Sequence, residues 1–178
     1  MKTIIATAIA LTIATSVSAN MGTGTATWGG NSGTVHGNGN CQFKKNQPGV
    51  MSFDGVDTWN VTTNAVVVLK TRGVNNAKVI PEGAPTGSGV TKLYQGDTAV
   101  ADVTVNYAPK STVSVNGKND ASTNANTNSL TAGNLKKNSG VTKVTFSIGG
   151  KATMSGDAVL DMDDNTNYTI NHTVTCLQ

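Results

Sequence analysis

Aromatic and charged side chains are scarce in this chain. Only 4% of the residues are aromatic and 13% are charged, and there are two histidines, two cysteines and four prolines. The net charge of +3 is too small to favour binding to nucleic acid or to an anionic membrane. The histidines and cysteines show no C-x-x-C or H-x-x-x-H spacing, so the sequence predicts no metal site and no cofactor.

Groups that could build a hydrolytic active site are equally few. The sequence contains no G-x-S-x-G motif. His36 lies in a glycine-rich segment, and His172 falls on the inward-facing set of the last predicted strand. We therefore expect His172 to be a core residue that is satisfied by a hydrogen bond, and we expect the chain not to be an enzyme. The alternative, an enzyme that uses His172 and nearby aspartates, has the least support.

Long hydrophobic runs are absent after the first residues of the chain. Lys2 precedes residues 3–16, which are rich in Ile, Ala, Leu and Thr, and Val17-Ser18-Ala19 offers small residues for cleavage. This is the layout of a secretory signal peptide, so we expect residues 1–19 to be removed and the product to be secreted without entering a membrane. A retained N-terminal anchor is the alternative.

Thr, Val, Asn, Ser and Gly dominate the remaining sequence. Thr and Val favour strands, whereas Asn, Ser and Gly favour turns. Apolar and polar residues alternate most clearly at residues 101–107 and 144–148. The whole pattern predicts ten strands, at residues 49–53, 59–63, 65–71, 77–80, 90–94, 100–107, 112–115, 141–148, 151–160 and 168–177. Short strands at this spacing predict one all-β domain, a β-sandwich, over residues 41–178.

Two polar regions are expected outside the strands. Residues 120–138 lack strand character and are predicted to form a long loop with at most one helical turn. Lys44-Lys45 and Lys136-Lys137 are the basic pairs, and we expect both in solvated loops.

Residues 20–40 form an extension that is rich in Gly, Thr, Ser and Asn and contains one large side chain, Trp28. In an extended conformation Gly24, Ala26 and Trp28 would lie on one side. Such a segment cannot build its own core. It is either a disordered leader or a strand that needs a sheet supplied by something else.

Cys41 and Cys176 are the two cysteines of a chain that carries an export signal. An oxidising compartment favours a disulfide between them, and two buried free thiols are the alternative. The bond would tie the start of the predicted domain to its last strand.

Two further features have a structural and a functional interpretation. Trp28 and Trp59 favour a core or an interface, although an exposed Trp59 could contact a sugar ligand. Asp161, Asp163 and Asp164 form an acidic turn that departs from the EF-hand pattern. We expect a solvated turn there, with weak calcium binding as the alternative.

The segments "CQFKKNQPGVMSFDG" and "NYTINHTVTC" resemble the opening and the closing strand of chaperone–usher pilins, in particular the archaic spore-coat-U/Csu-type subunits. The resemblance implies an immunoglobulin-like fold that lacks one strand and leaves an apolar groove. In that family a periplasmic chaperone fills the groove, and an outer-membrane usher replaces it with the N-terminal extension of the next subunit. The donor strand would lie here between Asn20 and about Val35 and would present Gly24, Ala26 and Trp28.

The combined features predict a secreted structural subunit of a surface filament, or fimbria, that reaches the cell surface through the periplasm and self-associates through its N-terminal extension. The alternative is a secreted adhesin or carbohydrate-binding β-sandwich.

Overall fold

The computed structural model describes residues 25–30, 41–84, 88–108, 110–119, 128–137, 140–156, 160 and 167–177. Several sequence predictions concern residues outside these ranges. They are the signal peptide at residues 1–19, the donor-strand residue Gly24, the placement of His36, part of the loop at residues 120–138, and the acidic turn of Asp161, Asp163 and Asp164.

Strands make up most of the described chain. The larger sheet contains β1 (Thr25–Gly30), β3 (Gly49–Phe53), β4 (Thr58–Thr63), β6 (Asn76–Pro81), β7 (Val90–Gln95), β8 (Thr98–Asn106), β11 (Leu130–Ala132), β13 (Lys151–Met154) and β14 (Tyr168–Leu177). The smaller sheet contains β2 (Cys41–Gln47), β5 (Ala65–Thr71), β9 (Thr112–Val115), β10 (Lys118–Asn119) and β12 (Thr142–Ile148). A short 3-10 helix covers Leu135–Lys137. Within the described ranges, no helix is long and apolar enough to cross a membrane.

All ten predicted strands are present, although the strand predicted at residues 151–160 ends at Met154, and the other differences lie in polar segments. β2 was not predicted because its sequence, CQFKKNQ, has few apolar residues. The expectation that Lys44-Lys45 lies in a solvated loop is therefore wrong. The described part of the predicted long loop contains β11 and the 3-10 helix.

The larger sheet closes on itself. Seven strands follow one another in the order β1-β3-β4-β13-β8-β7-β14, and β1 also pairs with β14. The strands β6 and β11 extend this sheet beyond the closed part. Closure leaves no unpaired edge where β3 and the first half of β14 would otherwise end the sheet. The strand that closes it is β1, the N-terminal one.

The two edges of β14 have different neighbours. Gly96 donates its N–H to the carbonyl of Asn167, and Glu82 donates to the carbonyl of Asn171. Carbonyls four residues apart in a strand point to the same edge. The strands β7 and β6 therefore follow one another along one edge of β14, and β1 occupies the other edge beside Tyr168–Asn171.

The smaller sheet has the strand order β10-β9-β12-β5-β2. The chain leaves it at Pro48 and enters the larger sheet at β3. Inward-facing side chains of both sheets meet in one hydrophobic core. Its largest fully buried members are Trp28, Trp59, Tyr107, Tyr168 and Phe146.

Cys41 and Cys176 form the predicted disulfide, with a Cα–Cα distance of 6.5 Å. It links the start of β2 in the smaller sheet to the end of β14 in the larger one. The all-β prediction and the disulfide are both confirmed. An immunoglobulin-like arrangement of the sheets stays a prediction, and the closure through β1 was not anticipated by the sandwich interpretation.

Candidate functional site

The N-terminal strand β1 lies between β3 and β14. It runs antiparallel to β3, with Trp28 opposite Gly49. It runs parallel to β14, with Ala26 beside Tyr168 and Trp28 beside Ile170. The sequence left open whether this segment is a disordered leader or a strand in a sheet supplied from outside. In this structure it is a strand, and the chain supplies the sheet itself.

Trp28 anchors β1 in the core. Its side chain is fully buried. The indole Nε1 donates a hydrogen bond of 2.9 Å to the carbonyl of Ile148, which belongs to β12 of the smaller sheet. Because a buried indole N–H needs an acceptor, this bond fixes the depth and orientation of the ring. One side chain of β1 thus connects the closed sheet to the smaller sheet.

Two glycines allow the close packing around β1. A Cβ at Gly49 would lie 2.2 Å from the carbonyl oxygen of Thr63, which no side chain could tolerate. Gly29 has a φ of +83° and follows the anchor, and a Cβ there would lie 2.8 Å from the Cβ of Ala65. Gly29 therefore needs both the left-handed conformation and the missing side chain.

A ring cluster surrounds the anchor. The imidazole of His172, on β14, lies 4.6 Å from the Trp28 ring centroid with an interplanar angle of 67°. The Tyr107 ring lies 6.3 Å from Trp28 at 73°. The Tyr107 hydroxyl and the Nδ1 of His172 share a buried hydrogen bond of 2.8 Å. The edge-on geometry of both pairs is the favoured one for aromatic contacts.

The ring cluster is electrically neutral around neutral pH. Burial lowers the pKa of His172 to about 3. Burial also raises the pKa of the Tyr107 phenol well above its usual value. Both shifts have the same cause, since a low-dielectric core disfavours the charged form of either group. The expectation that His172 faces the core and is satisfied by a hydrogen bond is confirmed.

Trp59 does not lie at a surface. Its side chain is fully buried. Its ring packs against Phe53, with centroids 5.0 Å apart, and against Tyr168 at 5.5 Å. The possible sugar contact of Trp59 is wrong for this structure, because no face of the indole is open to a ligand. Its Nε1 has no hydrogen-bond partner among the described residues, in contrast to that of Trp28.

A solvent-facing cleft of about 460 Å³ lies on the outer side of β7 and β8. Tyr94 contributes a partly exposed ring to it, and Lys92 and Asp102 form an ion pair of 2.5 Å in its wall. Glu82 and Ser88 complete one side. Among the described residues, this cleft is open to a small ligand, whereas Trp28 and Trp59 are not.

The structure brings together several residues that the sequence had singled out separately. Trp28 meets His172, and Cys41 meets Cys176. Ala26 lies in β1 as predicted for the donor strand, although its partner strands belong to the same chain. Sequence reasoning missed the role of Tyr107. The sequence does contain a signal for this role: Tyr107 is the last residue of the alternating stretch 101–107 and falls on its inward-facing side.

Comparison with protein-family models, with curated proteins and with solved structures finds no match for this chain.

Proposed function

We propose that this protein is a secreted structural subunit of a surface filament, and that its copies assemble by donating β1 to a neighbouring copy. In this proposal residues 1–19 direct export, and the body is an immunoglobulin-like domain whose open strand position is filled by β1. The observation that carries the proposal is the position of β1 between β3 and β14, with Trp28 as its deeply buried anchor.

The contacts of β1 do not depend on which copy supplies it. They consist of backbone pairing with β3 and β14 and of one anchoring indole that reaches the smaller sheet. An identical strand from a second copy could form the same kinds of contact, as in strand addition and domain swapping. The chain between β1 and β2 comprises residues 31–40, and exchange would require this segment to reach across to the neighbour.

The disulfide supports the same proposal. It closes a loop of 135 residues that contains the whole body and leaves β1 outside. In the chain-entropy model a loop of this length stabilises the folded state by about 4–5 kcal/mol. The body would therefore keep its fold while β1 is absent or being exchanged, which a subunit on its way through the periplasm needs. A periplasmic chaperone and an outer-membrane usher are the partners that we propose for that transit.

A heating experiment on gels tests the proposal. Material from the cell surface is run in detergent with and without boiling. We expect a ladder of assemblies that collapses to the monomer only after boiling, because exchanged strands are held by extensive backbone pairing. A chain that lacks residues 20–30 should give no ladder. Monomers alone in every unheated sample, with no effect of the deletion, would contradict the proposal.

The adhesin alternative now depends on the cleft beside Tyr94. The partly exposed ring of Tyr94 and the polar residues around it are what a glycan site requires, whereas Trp28 and Trp59 are buried. Glycan binding that is lost in Tyr94→Ala but kept in Tyr107→Phe, which changes only the core, would favour this alternative.

A further inference from the structure

The strands of the smaller sheet carry positive charges only. They contain the lysines Lys44, Lys45, Lys70, Lys118 and Lys143 and no aspartate or glutamate. The acidic residues that the structure describes all lie in the larger sheet or its turns, at Asp54, Asp57, Glu82, Asp97 and Asp102. Among the described residues, the acidic groups are therefore confined to the larger sheet and its turns.

Three of these lysines share one outer surface. Lys70 lies directly opposite Lys143 in the pairing of β5 with β12. Lys45 lies opposite Val68 in the pairing of β2 with β5, and it is therefore the diagonal neighbour of Lys70. The residues next to them in sequence, Leu69 and Val144, point into the core. Lys70 and Lys143 consequently point outward, Lys45 lies opposite Val68 on the same side of β5 as Lys70, and all three lysines are exposed.

The arrangement of these three lysines is unfavourable for the stability of the fold. Like charges directly opposite each other destabilise an antiparallel pair. Among the described residues, none of the three lysines has a carboxylate partner, and the ion pair Lys92–Asp102 lies on the other sheet. Adjacent strands are about 4.8 Å apart and Lys45 is displaced by two residues along the strand, so the backbones of the three lysines span three strands over roughly 12 Å. The three lysines therefore form a row of positive charges that no described carboxylate neutralises.

We propose that this lysine face binds a linear anionic polysaccharide. The lysine face consists of Lys45, Lys70 and Lys143, together with Gln42 and Thr145 beside them. Such a polymer carries sulfate or carboxylate groups at repeated intervals, and each group meets one ammonium along the row. The outward-facing Gln42 is opposite Lys70, and Thr145 is opposite Val68, so both can bond sugar hydroxyls. This inference does not depend on the exchange of β1, because the face lies on the other sheet.

Other partners fit the lysine face less well. Nucleic acid binding by a flat sheet uses exposed aromatic rings that stack on bases, and the outward-facing positions of β5 and β12 carry Val, Thr, Ser and Lys. A second copy of the chain would need a matching acidic row. In the described residues only one acidic residue, Asp102, lies in a strand, and it is already paired with Lys92.

The test is a binding titration of the full exported chain with heparin as the probe, with uncharged dextran and single-stranded DNA as comparison polymers. The variant Lys45→Gln/Lys70→Gln/Lys143→Gln removes the face. The matched control, Lys78→Gln/Lys136→Gln/Lys151→Gln, removes the same number of charges from elsewhere in the chain. We expect the face variant to bind heparin about tenfold more weakly or worse, the control to bind within about twofold of the unaltered chain, and salt to weaken binding steeply.

The outcomes are distinct. Equal losses in the two triple variants would mean that only net charge matters, and this would overturn the proposal. It would also be overturned if heparin did not bind, or if single-stranded DNA bound more tightly than heparin. Circular dichroism of both variants confirms that the sheets are intact, and each single Lys→Gln variant serves if the triple variant does not fold. The strand-exchange ladder should be unchanged in the face variant, so the two proposals fail separately.

Discussion

The imidazole of His172 packs against the indole of Trp28, with ring centroids 4.6 Å apart. Trp28 belongs to the first described strand and His172 to the last, so the contact joins β1 to β14 inside the core. The same imidazole is bonded to the Tyr107 hydroxyl at 2.8 Å. A change at His172 is therefore transmitted directly to the strand that we propose to be exchanged.

Stability should fall as the pH is lowered because of His172. Burial lowers its pKa to about 3 in the folded protein, from the usual 6.5 of an exposed imidazole. Unfolded chains bind a proton in this window that folded chains do not bind. The stabilisation is therefore complete above 6.5 and is lost progressively as the pH falls toward 3, with a slope of at most about 1.4 kcal/mol per pH unit.

Urea unfolding at several pH values between about 4.5 and 7 measures this slope. The variant His172→Gln removes the titrating group, and its free energy of unfolding should depend less on pH, whatever its absolute value. Identical slopes in the two proteins would show that His172 does not titrate in this window.

The two buried tryptophans should respond differently to the same substitution. Trp28→Phe leaves the carbonyl of Ile148 without its indole donor, whereas Trp59→Phe removes an N–H that has no described partner. We expect Trp28→Phe to lower the free energy of unfolding by about 1–3 kcal/mol more than Trp59→Phe. Denaturant unfolding of both variants at neutral pH decides this, and equal losses would mean that the indole bond contributes nothing.

Gly49 should not tolerate a side chain. In Gly49→Ala the new Cβ would lie 2.2 Å from the carbonyl oxygen of Thr63, so β3 must shift away from β4, and this disturbs the pairing of β3 with β1. We expect a loss of about 1–3 kcal/mol or more. Gly140→Ala is the matched control, since a Cβ there meets nothing within 4 Å, and its effect should stay within about 1 kcal/mol. Thermal unfolding of the pair provides the comparison, and similar midpoints would refute the close approach.

Loss of the disulfide should weaken the whole body. The double variant Cys41→Ser/Cys176→Ser opens the 135-residue loop. We expect the free energy of unfolding to fall by about 4–5 kcal/mol in the chain-entropy model, with local strain changing that value. Unfolding of the unaltered protein with and without reductant provides an independent control. A loss below about 1 kcal/mol would mean that β2 and β14 are held together by other contacts.

Local patterns in the sequence were enough to place most strands. Alternation at residues 101–107 and 144–148 predicted β8 and β12 because each strand buries one face, and burial is a local signal. The pairing of Cys41 with Cys176 was predicted because the sequence has two cysteines and residues 1–19 are expected to direct export. The polar strand β2 was missed because its pairing with β5, rather than its own apolar content, makes it a strand.

The candidate site depends on contacts that no local pattern encodes. Trp28 and His172 are far apart in the sequence, and only the pairing of β1 with β14 brings them together. The lysine face likewise arises from register, since Lys70 and Lys143 become neighbours only when β5 pairs with β12. Neither the closure of the larger sheet nor the confinement of the described acidic groups to it and its turns could be deduced from composition.

The most direct test of strand exchange uses two copies of different size, each with one added cysteine. One copy carries Thr27→Cys in β1, and the other carries Thr169→Cys at the position beside it in β14. Neighbouring strands bring these Cα atoms within disulfide range. After co-expression and oxidation we predict a disulfide-linked dimer of one copy of each size, and none when Lys143→Cys replaces Thr169→Cys. Absence of that dimer in samples that contain assemblies would contradict the donation of β1 between copies.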